Sequence, residues 1–183
     1  MCAAQSFHHY NRDGTMTLVK IVTAVLVVTS LPTLSNTAQA DTWDSFNFID
    51  SKPISEVWLN PGFYSYHFES DLNLNNNNLG FGAEYRYSTR HSVTAGRFNN
   101  SDRQISSYAA WNWQPVEIGS IRLGGLIGVI DGYPKTKNGE WFVIALPVAS
   151  YEYKNLGINL TIVPSVKDLV YGAISLQLKL KLF

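Results

Sequence analysis

An imidazole, a hydroxyl group and a carboxylate fall in two short stretches of this chain of 183 residues. His67 lies within Phe63–Ser70, and Asn99-Asn100-Ser101-Asp102 follows Ser92–Phe98. A base within hydrogen-bond reach of a hydroxyl group can serve acyl transfer. Serine and asparagine are also common in loops, and a lone histidine is usually solvated. The chemistry therefore depends on a fold that brings these residues together.

Eight runs of alternating apolar and polar residues provide the elements that must position them. Alternation with a period of two is typical of β-strands with one apolar face. Several runs reach the ~9–11 residues that a tilted strand needs to cross a bilayer. The runs are Phe63–Ser70, Leu79–Ser88, Ser92–Phe98, Gln104–Trp113, Ile121–Asp131, Trp141–Tyr153, Gly157–Val163 and Leu169–Phe183.

The last run indicates how these strands are arranged. From Val170 to Phe183, alternation places Ile174 and a row of leucines on one face. So long an apolar edge would invite aggregation of a soluble sheet, whereas a closed barrel in a membrane has no edge. The sequence therefore predicts an all-β fold, an eight-stranded antiparallel transmembrane β-barrel. A soluble lipocalin-like carrier is least favoured, because the outward face is too aromatic and too rich in leucine.

The connections differ in length in a regular way. Long polar connections, such as DLNLNNNN, NNSDR and GYPKTKNGE, alternate with tight turns near residues 89–91 and 154–156 and a medium turn at Gln114–Ser120. Long loops at one end and short turns at the other are typical of outer-membrane barrels, and an even strand number puts both termini on the periplasmic side. His67 and Ser101 are then expected at the extracellular rim.

Alternation also divides the side chains between lipid and lumen. Tyr64, Tyr66 and Phe68 are predicted to face lipid, and His67 the lumen. A charge on the lipid face costs ~2–4 kcal/mol at the midplane, so the charged side chains are expected inside. We expect a polar network there that is a structural plug, because small barrels are filled. Its predicted members are Glu84, Arg86, Asn112, Arg122, Gln177, Lys179 and Lys181.

The first forty residues are expected to be a leader with a cleaved signal peptide, and Met16 is the expected start. Ile21–Val28 is an apolar core shorter than the ~20 residues of a spanning helix, which disfavours an anchored helix. Ala38-Gln39-Ala40 matches a signal-peptidase pattern. We therefore expect export to the bacterial cell outer membrane.

The mature chain is expected to contain a short segment followed by one domain. Residues 41–60 are amphipathic and are interpreted as a periplasmic interfacial segment, either a short helix or an ordered coil. The barrel is expected over residues 61–183. The single cysteine, Cys2, lies in the leader, which leaves no disulfide or cysteine nucleophile.

Composition narrows the partners of this domain. The formal net charge is zero, so there is no electrostatic case for nucleic acid. Mean hydropathy is close to zero, which argues against helical membrane spans. No metal-ligand spacing or cofactor motif is present, so we expect no metal and no cofactor.

Five blocks between about Ser92 and Val163 resemble the lipid A palmitoyltransferases of the PagP type. Single blocks are not specific, but their order and spacing are close to those of the family. The blocks are Arg97-Phe98-Asn99-Asn100-Ser101, Tyr108-Ala109-Ala110-Trp111, Ile121-Arg122-Leu123-Gly124 with Gly128-Val129, Leu146-Pro147-Val148-Ala149-Ser150, and Ile162-Val163-Pro164.

The resemblance implies an acyltransferase. The family moves a palmitoyl chain from a glycerophospholipid to lipid A in the outer leaflet, so membrane lipids would be the partners of a monomeric barrel. Its key histidine corresponds to His67 and its serine to Ser101. The family's aspartate corresponds to Asn100, which cannot act as a base or hold an imidazolium by charge. Asp102, on the other side of Ser101, is the substitute that the sequence offers.

The resemblance also implies substrate-binding residues. In the family an apolar well measures the acyl chain, here lined by Tyr108 and floored by Ala110, whose methyl group predicts a chain at or below palmitoyl length. Pro147 and Pro164 lie on neighbouring strands, where proline removes a ladder hydrogen bond. The family uses such a seam as a lateral gate for lipids. A local bulge for barrel curvature is the alternative.

Three readings of the function follow. The first is a phospholipid:lipid A acyltransferase with His67, Asn100 and Ser101 at its site. The second is a non-catalytic structural or surface-interaction barrel that kept the scaffold. The third, a lipid A deacylase, would need a His-x-Ser motif on a lipid-facing wall, which this sequence lacks.

Overall fold

A computed structural model describes residues 46–166 and 170–183, and in these residues the chain forms a closed antiparallel β-barrel. The nine strands are β1 Phe46–Phe48, β2 Pro53–His67, β3 Asn77–Ser88, β4 His91–Asn99, β5 Ile105–Ile118, β6 Ile121–Ile130, β7 Phe142–Tyr153, β8 Leu156–Val163 and β9 Ala173–Lys181. Strands β2 to β9 each pair with their neighbours along the chain, and β9 returns to pair with β2. This confirms the predicted eight-stranded all-β fold. The expected leader, residues 1–40, lies outside the described residues.

Side chains alternate between the two faces of the wall as the sequence predicts. Tyr64 and Tyr66 point outward and are 49% and 61% exposed, whereas His67 is 7% exposed. On β9 the leucines are outward, while Ser175, Gln177 and Lys179 are buried inside. On these strands the apolar residues therefore form the outer surface, and the polar residues face the lumen. Two single-turn 3₁₀ helices, Ser70–Leu72 and Lys137–Gly139, lie in loops, and no helix of the described residues is long and apolar enough to cross a membrane.

The first barrel strand begins at Pro53, eight residues before the expected start of the barrel at residue 61. The prediction of an interfacial segment over residues 41–60 is therefore wrong for residues 53–60. The pattern is misleading because Pro61 and Gly62 form a bulge, with Gly62 at φ +103°. The strand tolerates Pro61 because β2 and β9 have no paired residues between Leu59 and Tyr64.

Two other predicted strand ends move. β5 continues to Ile118, so the expected turn at Gln114–Ser120 is only Gly119 and Ser120. Pro115 lies in a register irregularity between Trp113 and Val116, which broke the apparent alternation. Short strand β1 pairs with this extension of β5. β9 begins at Ala173, because Val170 instead bridges Val166 within the preceding loop.

The lengths of the connections confirm the predicted asymmetry. The turns after β3, β5 and β7 contain two residues each, and all lie at one end of the barrel. The loops at the opposite end include residues 68–76, 100–104 and 131–141, together with the described residues 164–166 and 170–172 between β8 and β9. We call this opposite end the loop end. Because His67 ends β2 there, the imidazole lies at the mouth of the lumen.

The lumen near the short turns contains the predicted polar network. Lys179 Nζ lies 3.2 Å from Glu84 and 2.7 Å from Glu152, and Arg86 also pairs with Glu152. Trp58 lies under three of the cations, with Lys179 Nζ 4.7 Å from the ring centroid. The prediction lacked two of the three carboxylates, Glu56 and Glu152. A buried, mutually paired set of this kind is a filled core of the barrel.

Candidate acyl-transfer site

His67 is held between two polar side chains at the loop end. It is the last residue of β2, faces the lumen and pairs with Ala173 of β9. Its Nε2 atom lies 2.8 Å from Ser101 Oγ, and its Nδ1 atom lies 2.8 Å from Asn76 Oδ1. The barrel thus brings together His67 and Ser101, the two residues that the sequence proposed as base and hydroxyl.

The loop that carries Ser101 is shaped by Asn100. The Asn100 Oδ1 atom accepts hydrogen bonds from the backbone N–H groups of Asp102 and Gln104, each at 2.9 Å. Its Nδ2 atom donates to Ser106 Oγ at 2.9 Å and to the Gly132 carbonyl at 2.7 Å. Asparagine in this arrangement makes an Asx turn, and this one is fully buried. Every polar group of Asn100 is therefore used in positioning the loop.

Asn100 consequently takes no part in the contacts of His67. No hydrogen bond joins the two residues in the part of the chain that the structure describes. Among the described residues, no hydrogen bond or ion pair joins Asp102 to the imidazole either. Burial raises the pKa of Tyr133, and the negative charge of Asp102 raises it further. Neither Asn100 nor Asp102 therefore orients His67.

The orienting residue is Asn76, which sequence reasoning did not single out. Its backbone carbonyl accepts a 2.9 Å hydrogen bond from the N–H of Ser65, which lies two residues before His67 on β2. Its neighbour Asn75 donates from its backbone N–H to the carbonyl of Ser101 at 2.9 Å. The side chain of Asn78 bonds the carbonyl of Asn99 at 3.0 Å. The run of asparagines thus clamps the β2–β3 loop to the β4–β5 loop.

These contacts form the arrangement of nucleophile, base and orienting group. With Asn76 Oδ1 accepting from Nδ1–H, the lone pair of the neutral imidazole is on Nε2, where it accepts from the Ser101 hydroxyl. A base held by a third group beside a hydroxyl is the general geometry for activating an oxygen nucleophile. An amide fixes the tautomer but supplies no charge to stabilise an imidazolium.

Below the site the lumen is aromatic. The rings of Phe63, Phe98 and Tyr108 meet edge to face with centroids 5.0 to 5.9 Å apart. Ile130 packs against them. The structure therefore places Tyr108 in the apolar cluster under His67. Ala110 lies one inward position further from the mouth, level with Gly128, and is half-buried.

The two prolines lie where the β7–β8 ladder ends. The β7–β8 ladder runs from Tyr153 only as far as Val148, which pairs with Thr161, although β7 continues back to Phe142. Pro147 is the next residue of β7 past the last pair, and Pro164 immediately follows β8. The first part of β7, from Phe142 to Pro147, is therefore paired with β6 alone. The predicted weak seam is present at this position.

The described residues contain no group of three or more histidine, cysteine, aspartate or glutamate side chains placed to hold a metal ion. Comparison of the chain with protein-family models and with the curated proteins finds no match.

Proposed function

We propose that this protein is an outer-membrane enzyme that transfers an acyl chain from a glycerophospholipid to lipid A. The observation that carries the proposal is the pair of 2.8 Å contacts that hold His67 between Ser101 and Asn76 at the mouth of the barrel. The sequence resemblance to the PagP type, which includes His67 and Ser101, supplies the substrates. A seam in the wall beside the mouth gives a lipid chain a path to the site.

The outer surface supports a location in a membrane. Large apolar side chains such as Phe81, Leu178 and Ile127 are each more than half exposed on the wall, and only lipid or a partner would cover so large an apolar surface. The charged groups of the lumen are paired inside. An export signal ending at Ala38-Gln39-Ala40 would deliver the chain to the periplasm with the short turns inward and the loop end at the cell surface.

The transfer would proceed through Ser101. As Ser101 Oγ attacks the ester carbonyl of the donor, its proton passes to His67 Nε2. The bond from the carbonyl carbon to the glycerol oxygen breaks, and this oxygen takes the proton, which releases a lysophospholipid and leaves an acyl ester on Ser101. A hydroxyl group of lipid A then attacks this ester, gives its proton to Nε2, and Ser101 leaves with that proton restored. Asn76 keeps the ring in the required tautomer throughout.

The donor chain would enter at the seam beside Pro147 and occupy the lumen near Ala110. Occupation requires the rings of Phe63 and Phe98 to move aside, because they fill the lumen under the mouth. The Ala110 methyl group limits the depth, so the transferred chain is expected to be of palmitoyl length or shorter. A longer chain on lipid A would contradict this assignment of the floor.

The test is expression in a strain that lacks its own lipid A acyltransferase, with mass spectrometry of the lipid A. The expected result is a gain of one acyl chain on lipid A. In His67→Ala the rate of transfer should fall about 10²- to 10⁴-fold, since a positioned base contributes that much. In Ser101→Ala transfer should be lost. His91→Ala is the matched control, because His91 stacks on Trp111 on the outer face. Activity that survives in both site variants would refute the site.

A non-catalytic barrel is the second candidate, and one observation favours it. The aromatic cluster of Phe63, Phe98 and Tyr108 closes the lumen where an acyl chain would lie. Absence of lipid A acylation by the folded wild-type protein, with a range of donor phospholipids present, would select this candidate.

A further inference from the structure

Small outward-facing residues lie side by side on the outer wall across β3, β4 and β5. Ala83, Ala95 and Ala109 are direct partners across three neighbouring strands and all face outward. A depression of about 690 Å³ lies over them. A second one of about 490 Å³ adjoins it towards the loop end and shares Ala83 and Ala95. We call the combined depression the outer groove.

Large apolar side chains form the walls of the outer groove. Tyr85, Trp111 and Ile127 lie on the side towards the short turns, and Phe81 lies on the side towards the loop end. These residues are all on the outward face, between 39% and 66% exposed. An apolar channel walled by aromatic rings on a lipid-facing surface fits a hydrocarbon chain.

One cation stands at the loop end of the outer groove. Arg97 is two residues beyond Ala95 on β4, faces outward beside Phe81, and is exposed. Within the described residues no carboxylate lies within 4.0 Å of its guanidinium. The carboxylate of nearby Asp131 accepts from the Ser107 backbone N–H at 2.5 Å. Arg97 therefore has no ion-pair partner among the described residues.

The position of Arg97 suits a phosphate group of a lipid. A lipid-facing arginine costs about 2–4 kcal/mol at the midplane but only about 0–1 kcal/mol near the interface, and Arg97 lies two residues from the end of β4. A guanidinium matches phosphate geometry with two parallel hydrogen bonds. Charge above and an apolar channel below are together complementary to an anionic lipid.

We propose that the outer groove binds the acceptor, lipid A, with a phosphate group on Arg97 and an acyl chain over Ala95 and Ala109. The inference rests on the proposed function. The β4–β5 loop that carries Ser101 directly joins the two strands that bear Arg97 and Ala109. A lipid A molecule anchored there would hold its sugar hydroxyl groups beside Ser101, while the seam at Pro147, on β7, remains open to the donor.

The test measures binding without turnover. The purified full chain in detergent micelles is mixed with lipid A, with lipid A stripped of its phosphates, or with phosphatidylglycerol, and bound lipid is counted by native mass spectrometry. Arg97→Gln should weaken binding of lipid A about 10-fold, as expected for loss of one charge-assisted contact, down to the level of the stripped lipid. Ala95→Leu, which fills the groove, should weaken both. Arg103→Gln is the control, because Arg103 at the same end bonds Asn73 instead.

The outcomes separate this proposal from the proposed function. Equal binding of lipid A by wild type, Arg97→Gln and Ala95→Leu overturns the groove, even if acyl transfer is observed. Equally tight binding of phosphatidylglycerol also overturns it, since the site would then not select the acceptor. If Arg97→Gln weakens lipid A binding but the wild-type protein shows no acyl transfer, the result supports the groove and refutes the proposed enzymatic function.

Discussion

Asn76 Oδ1 lies 2.8 Å from His67 Nδ1, across the loop that joins β2 to β3. The backbone of the same asparagine is bonded to Ser65 on β2, so the amide and the imidazole are fixed to one strand. A partner on Nδ1 decides which nitrogen carries the proton, and therefore which nitrogen faces Ser101. Asn76 is in this sense a positioning residue for the proposed base.

Replacement of Asn76 is expected to lower kcat more than it raises KM. In Asn76→Ala the ring is free to rotate or change tautomer, and misplacement of the base should lower kcat about 10²-fold. Asn76→Asp keeps an acceptor opposite Nδ1–H and should restore most of the activity. The measurement is steady-state acyl transfer in detergent, with Asn77→Ala as the control, because the Asn77 side chain is exposed on the adjacent position. An Asn76→Asp variant as impaired as Asn76→Ala would contradict the positioning role.

The substitution Asn100→Asp tests two roles of residue 100: that of the family's aspartate, which the resemblance implies, and that of positioning the loop, which the structure shows. If residue 100 took the part of the family's aspartate, an acid there should raise activity. The structure predicts the opposite, because a carboxylate would face the Gly132 carbonyl, to which the Asn100 amide now donates. The expected loss is about 1–3 kcal/mol of unfolding free energy for the unsatisfied group, with reduced transfer.

The measurement for Asn100→Asp is urea unfolding alongside the transfer assay. Asn47→Asp, an equal change at an exposed position on β1, should alter neither quantity. An Asn100→Asp protein that is both stable and more active would show that the acid acts on His67 after all.

The strands could be predicted because each carries its own pattern. On β9 every second residue is an outward leucine or isoleucine, and the period of two directly assigns Lys179 to the lumen. The same alternation placed His67 in the lumen, and the structure makes it the last residue of its strand. A bulge shifts the phase of the alternation, as at Pro61 and Gly62 on β2. The pattern breaks there, so the predicted strand begins too late.

The partners within loops and across the lumen could not be predicted in this way. Asn76 contacts His67 only because the β2–β3 loop folds back over the mouth, and four consecutive asparagines have no periodicity that distinguishes one from another. Glu152 meets Arg86 across a distance of 66 residues in the chain, which depends on closure of the barrel. The predicted lumenal set contains more cations than carboxylates. Because buried charges need partners, this imbalance was the one signal that further carboxylates lie inside.

Removal of Lys179 is expected to destabilise the barrel. Its ammonium group is buried and pairs with Glu84 and Glu152, so Lys179→Met leaves two carboxylates without that partner and should cost about 3–5 kcal/mol of unfolding free energy. Lys181→Met is the matched control. Lys181 pairs with Glu56 at a more exposed position, 27% and 23% accessible, where a pair contributes about 0–1 kcal/mol.

The measurement is reversible urea unfolding in detergent or lipid vesicles. The double variant Lys179→Met with Glu84→Gln should lose less than the sum of its two single changes, since the second substitution removes a charge that the first left uncompensated. Equal, small losses for Lys179→Met and Lys181→Met would contradict the stabilising role of the network.

A disulfide across the seam should stop acyl transfer. Continuation of the β7–β8 register past Val148 and Thr161 would place Pro147 opposite Ile162, both on the outward face. The substitutions Pro147→Cys and Ile162→Cys therefore put two thiols at the opening. Bridging them requires the strands to approach to a Cα separation of about 4.4–6.8 Å, which closes the proposed path of the donor chain.

The control for the seam is the pair two positions away, Ala149→Cys with Leu160→Cys, which lies within the existing ladder. Oxidation should abolish transfer in the first variant, and reduction should restore it, because the thiols leave His67 and Ser101 unchanged. Oxidation of the control pair should have no effect on transfer, since those strands are already joined. Full activity of the oxidised seam variant, with disulfide formation verified by mass spectrometry, would exclude lipid passage between β7 and β8 and direct the search to the bulge at Pro61, where β2 and β9 also lack paired residues.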